Sequence, residues 1–124
     1  MPASLVNPAL GTDLADPVQN AAGNATVCQF NGTKAGAAMI RVQMDDTAAG
    51  FAAERTTFDK SGQPTKDIAG FGDEAYANTK HMPLGLPDVN TLVARKGQVE
   101  ILVSASASLA REQALEQQLF AKVG

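Results

Sequence analysis

The chain holds one histidine, His81, and one cysteine, Cys28, so any Ser-His-Asp or Cys-His arrangement must recruit that single imidazole as its base. His81 sits in "KHMPLGLPD", a stretch broken by two prolines and a glycine, which reads as a loop histidine in solvent. Cys28 falls on the apolar side of an alternating segment, where a thiol packs as a small hydrophobe rather than serving as a nucleophile. The acidic pairs Asp45-Asp46 and Asp73-Glu74 are sequence neighbours. Neighbouring side chains point in different directions, whereas a general acid and base must converge on one substrate, so capping and solvation explain them better. Thioethers suit cuprous copper, and Met82, Met39 and Met44 with His81 are donors of that kind. No spacing gathers three of them, so no metal ligands, no cofactor and no catalytic residues are assigned.

The segment "GFGDEA", Gly70 to Ala75, matches the letters of a dinucleotide-binding GxGxxA fingerprint. That motif works only between a strand and a helix whose N-terminus meets the phosphates. Here the upstream "SGQPTKDIA" is polar and broken, and the downstream "EAYANTK" alternates like a strand. The two glycines therefore read as a turn feeding a strand.

The elements that must position these residues follow from composition and pattern. At 124 residues the chain is long enough for one core. Its 22 alanines and lack of tryptophan make that core thin and aliphatic, anchored by Phe30, Phe51, Phe58, Phe71, Tyr76 and Phe120. A net charge of -3 with both signs interspersed leaves no basic stripe to neutralise phosphates, which argues against nucleic acid as a partner. The most apolar run, "VEILVSASASLA", is too short and serine-rich to cross a bilayer. The start "MPASLVNPAL" has no basic region followed by a long apolar stretch, which suggests a cytoplasmic chain or a trimmed part of a longer precursor.

Along the chain, "PASLVNPALGTDL" predicts a short helix interrupted by Pro8 and closed by Gly11. "TDLADPVQNAAGN" reads as a polar connector. Ala25–Phe30 alternates as a strand, "NGTKAG" as a turn, and Ala38, Ile40, Val42 and Met44 share one face of a second strand, with Met39, Arg41 and Gln43 on the other. Ala48, Phe51, Ala52, Arg55 and Phe58 then recur at helical spacing and stop near Gly62 and Pro64. Three strands, Glu74–Thr79, Asn90–Lys96 and Gln98–Ala105, the last two joined by a tight Lys96-Gly97 turn, precede a helix from about Ser108 to Lys122. The expected fold is a single α+β domain: an antiparallel sheet of about five strands with two or three helices packed on one face.

Taken together, the "CQF" strand, the middle helix, the "GFGDEAY" turn, "TLVARKGQVEILVS" and the final helix resemble the small extracytoplasmic domains of bacterial predicted lipoproteins and secreted proteins of unknown function. The resemblance implies an exported domain, tethered through a lipid anchor that belongs to the precursor and not to this chain. It carries no catalytic residues.

The reading that results is a non-catalytic binding domain for a partner protein, envelope component or small ligand. Its contact surface is a sheet face together with the loop Thr79–Asn90, whose proline and leucine residues are apolar in a segment without periodicity. The binding candidates are His81, Met82, Leu84 and Leu86 of the loop, with Tyr76 and Arg41 from the sheet. The alternative is a small hydrolase or isomerase using His81 with a carboxylate from another loop. A homodimer through a sheet edge, either the strand Ala37–Met44 or the final hairpin, is a further expectation.

Overall fold

The computed structural model describes residues 3–12, 14–31, 37–62, 64–83 and 85–123. The first helix, α1 (Ala3–Leu10), forms despite Pro8 because Val6 and Leu10, one turn apart, both bury against the core. Asn7 ends it: its side-chain oxygen accepts from the Leu14 amide at 2.8 Å and the Thr12 hydroxyl at 2.9 Å, and its amide donates to the Leu14 carbonyl.

Among the described residues the chain then enters seven strands, where about five are expected: β1 (Val18–Ala22), β2 (Ala25–Asn31), β3 (Ala37–Gln43), β4 (Lys66–Asp67), β5 (Glu74–Lys80), β6 (Val89–Lys96) and β7 (Val99–Ala105), with α2 (Ala48–Lys60) between β3 and β4 and α3 (Leu109–Val123) last. All pairs are antiparallel, in the order β1-β2-β3-β7-β6-β5-β4. The extra strands are the two outermost. β1 pairs with β2 through a two-residue turn at Gly23-Asn24, where Gly23 takes φ +60°. β4 is two residues that lean on Tyr76 and Ala77. The proposed "NGTKAG" turn between β2 and β3 lies outside the described residues beyond Asn31.

The helices do not share one face. Alternate residues of the inner strands, Phe30, Ile40, Ala77, Leu92, Ile101 and Val103 among them, form one core with Val6 and Leu10 of α1 and Leu115, Leu119 and Phe120 of α3. The intervening residues Tyr76, Val93 and Leu102 form a second core under Phe51 of α2, with Phe58 and Met39 beside them. A sheet that is apolar on both faces needs a cover on both, and α2 supplies the second. Thr47 caps α2 by accepting from the Gly50 amide at 3.0 Å.

The strands once expected to be edges, β3 and the β6-β7 hairpin, are the middle of the sheet. The Gly70–Gly72 segment is a turn with φ +74° and +61°, and it leads into β5. No helix follows it. A Cβ at Gly72 would stand 2.7 Å from the Arg95 carbonyl oxygen, so the close approach of β6 requires glycine there.

One feature of the core departs from hydrophobic patterning. Glu112 and Glu116, four residues apart on α3, are 0% exposed, and their carboxyl oxygens meet no donor in good hydrogen-bond geometry, with only the backbone of Ala105 beside Glu112 and of Val103 beside Glu116. Burial pushes the Glu112 carboxyl up to about 10, with partial relief from the Ala105 backbone. Burial and then the charge of Glu112 raise Glu116 well above the usual carboxylate range. The raised value favours the protonated form of Glu112 at neutral pH. The core-facing side of the last helix thus carries two buried acids among its apolar residues.

Candidate functional site

Residues of the loop between β5 and β6 line a cavity together with the face of the sheet that α2 covers. Sheet register assembles the floor. Gln29 of β2, Met39 of β3, Ser104 of β7 and Thr91 of β6 are directly paired neighbours in one row across four strands. They share a face because each strand alternates in phase with the next. Together with Gln29, Met39 and Ser104 of this row, the loop residues Met82, Leu86 and Pro87, with Val89, line an open cavity of about 460 Å³.

The loop is fastened at its base. Thr79 donates to Asn90 at 2.6 Å, Asn90 donates to the Ala107 carbonyl at 2.7 Å, and His81 Nδ1 lies 3.0 Å from Asp88. At its tip the Leu86 amide reaches the Pro83 carbonyl, and Gly85 takes φ +72°. The loop is thereby held as a preformed wall.

The cavity is apolar with a few polar groups, and no charged side chain lines it among the described residues. Ser104 shares a 3.0 Å hydrogen bond with Thr91. Gln29 brings an amide that can both donate and accept. This arrangement suits an uncharged group with an apolar body and a hydrogen-bonding end. Among the described residues no His, Cys, Asp, Glu, Lys or Arg side chain lines the cavity.

Of the residues singled out from sequence, Met82 and Leu86 line the cavity. Leu84 lies outside the described residues. The His81 side chain is 82% exposed and engages Asp88 across the loop, away from Cys28, which is buried in the opposite core. Tyr76 and Arg41 belong elsewhere. Tyr76 is buried beneath α2, its ring 5.1 Å from Phe51 and 5.8 Å from Phe58, with the Arg55 guanidinium 5.5 Å from its centroid. Its hydroxyl has no hydrogen-bond partner, and burial raises the phenol above its ordinary range.

Arg41 bonds to Glu54 of α2 and, at 2.9 Å, to the buried Glu100 of β7. Burial, then the Glu54 carboxyl, pushes Glu100 up to about 8 against the pull of Arg41. This cluster ties α2 to the sheet.

The floor residues Gln29, Met39 and Ser104 are not site candidates from sequence, although the strand pattern puts Met39 on the same face as Arg41. Only the pairing of β2, β3 and β7 puts them in one row. A second, more polar cleft of about 470 Å³ lies between α2 and the Gly70–Glu74 turn, but its cation, Arg55, is already bound to Asp67 and, at 2.8 Å, to Thr65. Among the described residues no three His, Cys, Asp or Glu side chains come together as a metal site, and no helix is long and apolar enough to cross a membrane. No protein-family model, curated protein or solved structure matches this chain.

Proposed function

We propose that the domain is a non-catalytic binding module that takes an uncharged, largely apolar group into the cavity between the β5-β6 loop and the α2 face of the sheet. The observation that carries this reading is the cavity itself: about 460 Å³, walled by Met39, Met82, Leu86 and Pro87, with the Gln29 amide and the Ser104 and Ser106 hydroxyls as its polar groups. Its volume falls within the range of small-molecule sites, and flexible methionines adapt to the shape of an apolar guest. His81 serves here as a clasp of the wall. On this reading the module acts outside the cytoplasm, as its resemblance to extracytoplasmic domains implies, and its guest is an envelope component, a small ligand or a side chain of a partner protein.

The test uses N-phenyl-1-naphthylamine, a neutral apolar fluorophore that brightens on leaving water. The wild-type chain should give saturable enhancement, and Met39→Lys and Leu86→Lys should each weaken it at least tenfold while far-ultraviolet circular dichroism stays unchanged. Absence of saturable binding, or equal binding by both variants, would contradict the assignment.

A further inference from the structure

The two edges of the sheet are treated differently by the sequence. An edge strand presents unpaired backbone groups, and proteins blunt such edges with charge, proline or extreme shortness. The β4 edge has all three. It is two residues long, both residues are charged, Pro64 stands just before it, and Arg55 reaches from α2 to bind Asp67. The β1 edge also follows a proline, Pro17, but the strand itself is longer and carries no charge. Its five residues, "VQNAA", are uncharged and free of proline, Gln19, Asn20 and Ala21 are exposed, and Val18 leaves 60% of its surface in water.

We propose that β1 is an interaction surface for a second copy of this chain, pairing antiparallel with its own twin across a two-fold axis at Asn20 to join two seven-stranded sheets into one. The segment is self-complementary in this register. Val18 falls opposite Ala22 of the second copy, Gln19 opposite its Ala21, and Asn20 opposite its Asn20. The nearest charged residue in the described chain, Asp16, falls opposite Asn24, so no like charges meet. A two-fold contact of this kind closes on itself, and Val18, the most exposed of the large apolar residues described, lies in the paired segment of both copies. Because the cavity floor runs outward along the row Met39, Gln29, Val18, the dimer would place its two cavities on one continuous sheet face.

Sedimentation equilibrium over a wide concentration series tests this directly. The wild-type mass should rise from 12.8 kDa toward twice that value, and Asn20→Lys, which sets two like charges directly across the axis, should remain at the monomer mass with an unchanged circular dichroism spectrum. Residues directly opposite in antiparallel strands have Cα atoms about 4.5–5.5 Å apart, within disulfide reach. Asn20→Cys should therefore cross-link under mild oxidation. Val18→Cys should not, because its twin would sit about 14 Å away along the strands. A wild-type chain that stays at monomer mass at every concentration, an Asn20→Lys variant that associates as well as wild type, or cross-linking through Val18→Cys in place of Asn20→Cys would overturn the proposal.

Discussion

Wild-type stability should fall as pH rises, opposite to the acid sensitivity of most proteins, and replacing Glu112 by glutamine should weaken that dependence. In the folded state the Glu112 carboxyl titrates near 10, whereas 4.5 is its ordinary value. A raised folded pKa means that the favourable contribution is complete below about pH 4.5 and is lost as pH climbs toward 10, because the unfolded chain releases a proton that the native chain retains. Between those limits each such carboxyl lowers stability by about 1.4 kcal/mol per pH unit. From pH 4.5 to pH 7, Glu112 alone therefore removes about 3 kcal/mol, a large part of a typical domain's total.

Glu116 acts in the same sense, and Glu100, pushed up to about 8, adds to the slope until that pH. Urea unfolding followed by circular dichroism at half-unit steps from pH 5 to pH 8 measures the slope directly. Wild-type stability should fall throughout this window, and Glu112→Gln should reduce the slope by about 1.4 kcal/mol per pH unit. Stability that is flat or rising over the window, or a variant with the wild-type slope, would refute the claim that this buried acid is protonated in the fold.

Other consequences follow from the same structure. Gly72→Ala should lower stability by about 1–3 kcal/mol, because its φ of +61° is strained for alanine and the new Cβ meets the Arg95 carbonyl at 2.7 Å; an unchanged melting temperature would contradict this. Tyr76→Phe should be within about 0.5 kcal/mol of wild type or more stable, since the buried hydroxyl it removes has no partner, and a large loss in thermal unfolding would show a bond that the geometry does not contain. Arg41→Met should lower the urea midpoint by removing its bonds to Glu54 and Glu100, a cost of about 1–3 kcal/mol for hydrogen bonds to a charged group. Cys28, 3% exposed, should react with a thiol reagent only at the rate of unfolding; prompt labelling of the native protein would show an accessible thiol.

The inner sheet was legible because its strands alternate against a buried face: Ala38, Ile40 and Val42, then Ile101, Val103 and Ala105, read correctly as strand positions. The cover on the second face was not, even though "LVA" in β6 and "ILV" in β7 are continuous apolar runs, the mark of strands buried on both sides. β1 escaped because an exposed edge strand has no hydrophobic period to display, and β4 because two residues carry no pattern at all. Site residues divided in the same way. Leu86 and Met82 stood out as apolar residues in a loop, a local signal, whereas Gln29 and Ser104 become neighbours only through register across three strands. Arg41 and Tyr76 attracted notice as large residues on the sheet, and tertiary packing assigned them to holding α2.

The most direct test of the central claim is a ¹H–¹⁵N correlation spectrum of the protein titrated with N-phenyl-1-naphthylamine. The account predicts saturable shifts confined to the amides around the cavity, those of Met39, Met82, Leu86, Val89 and Ser104, with α3 and the Gly70–Glu74 turn unmoved. Shifts centred on the cleft beside Arg55, or none at saturating probe, would contradict it.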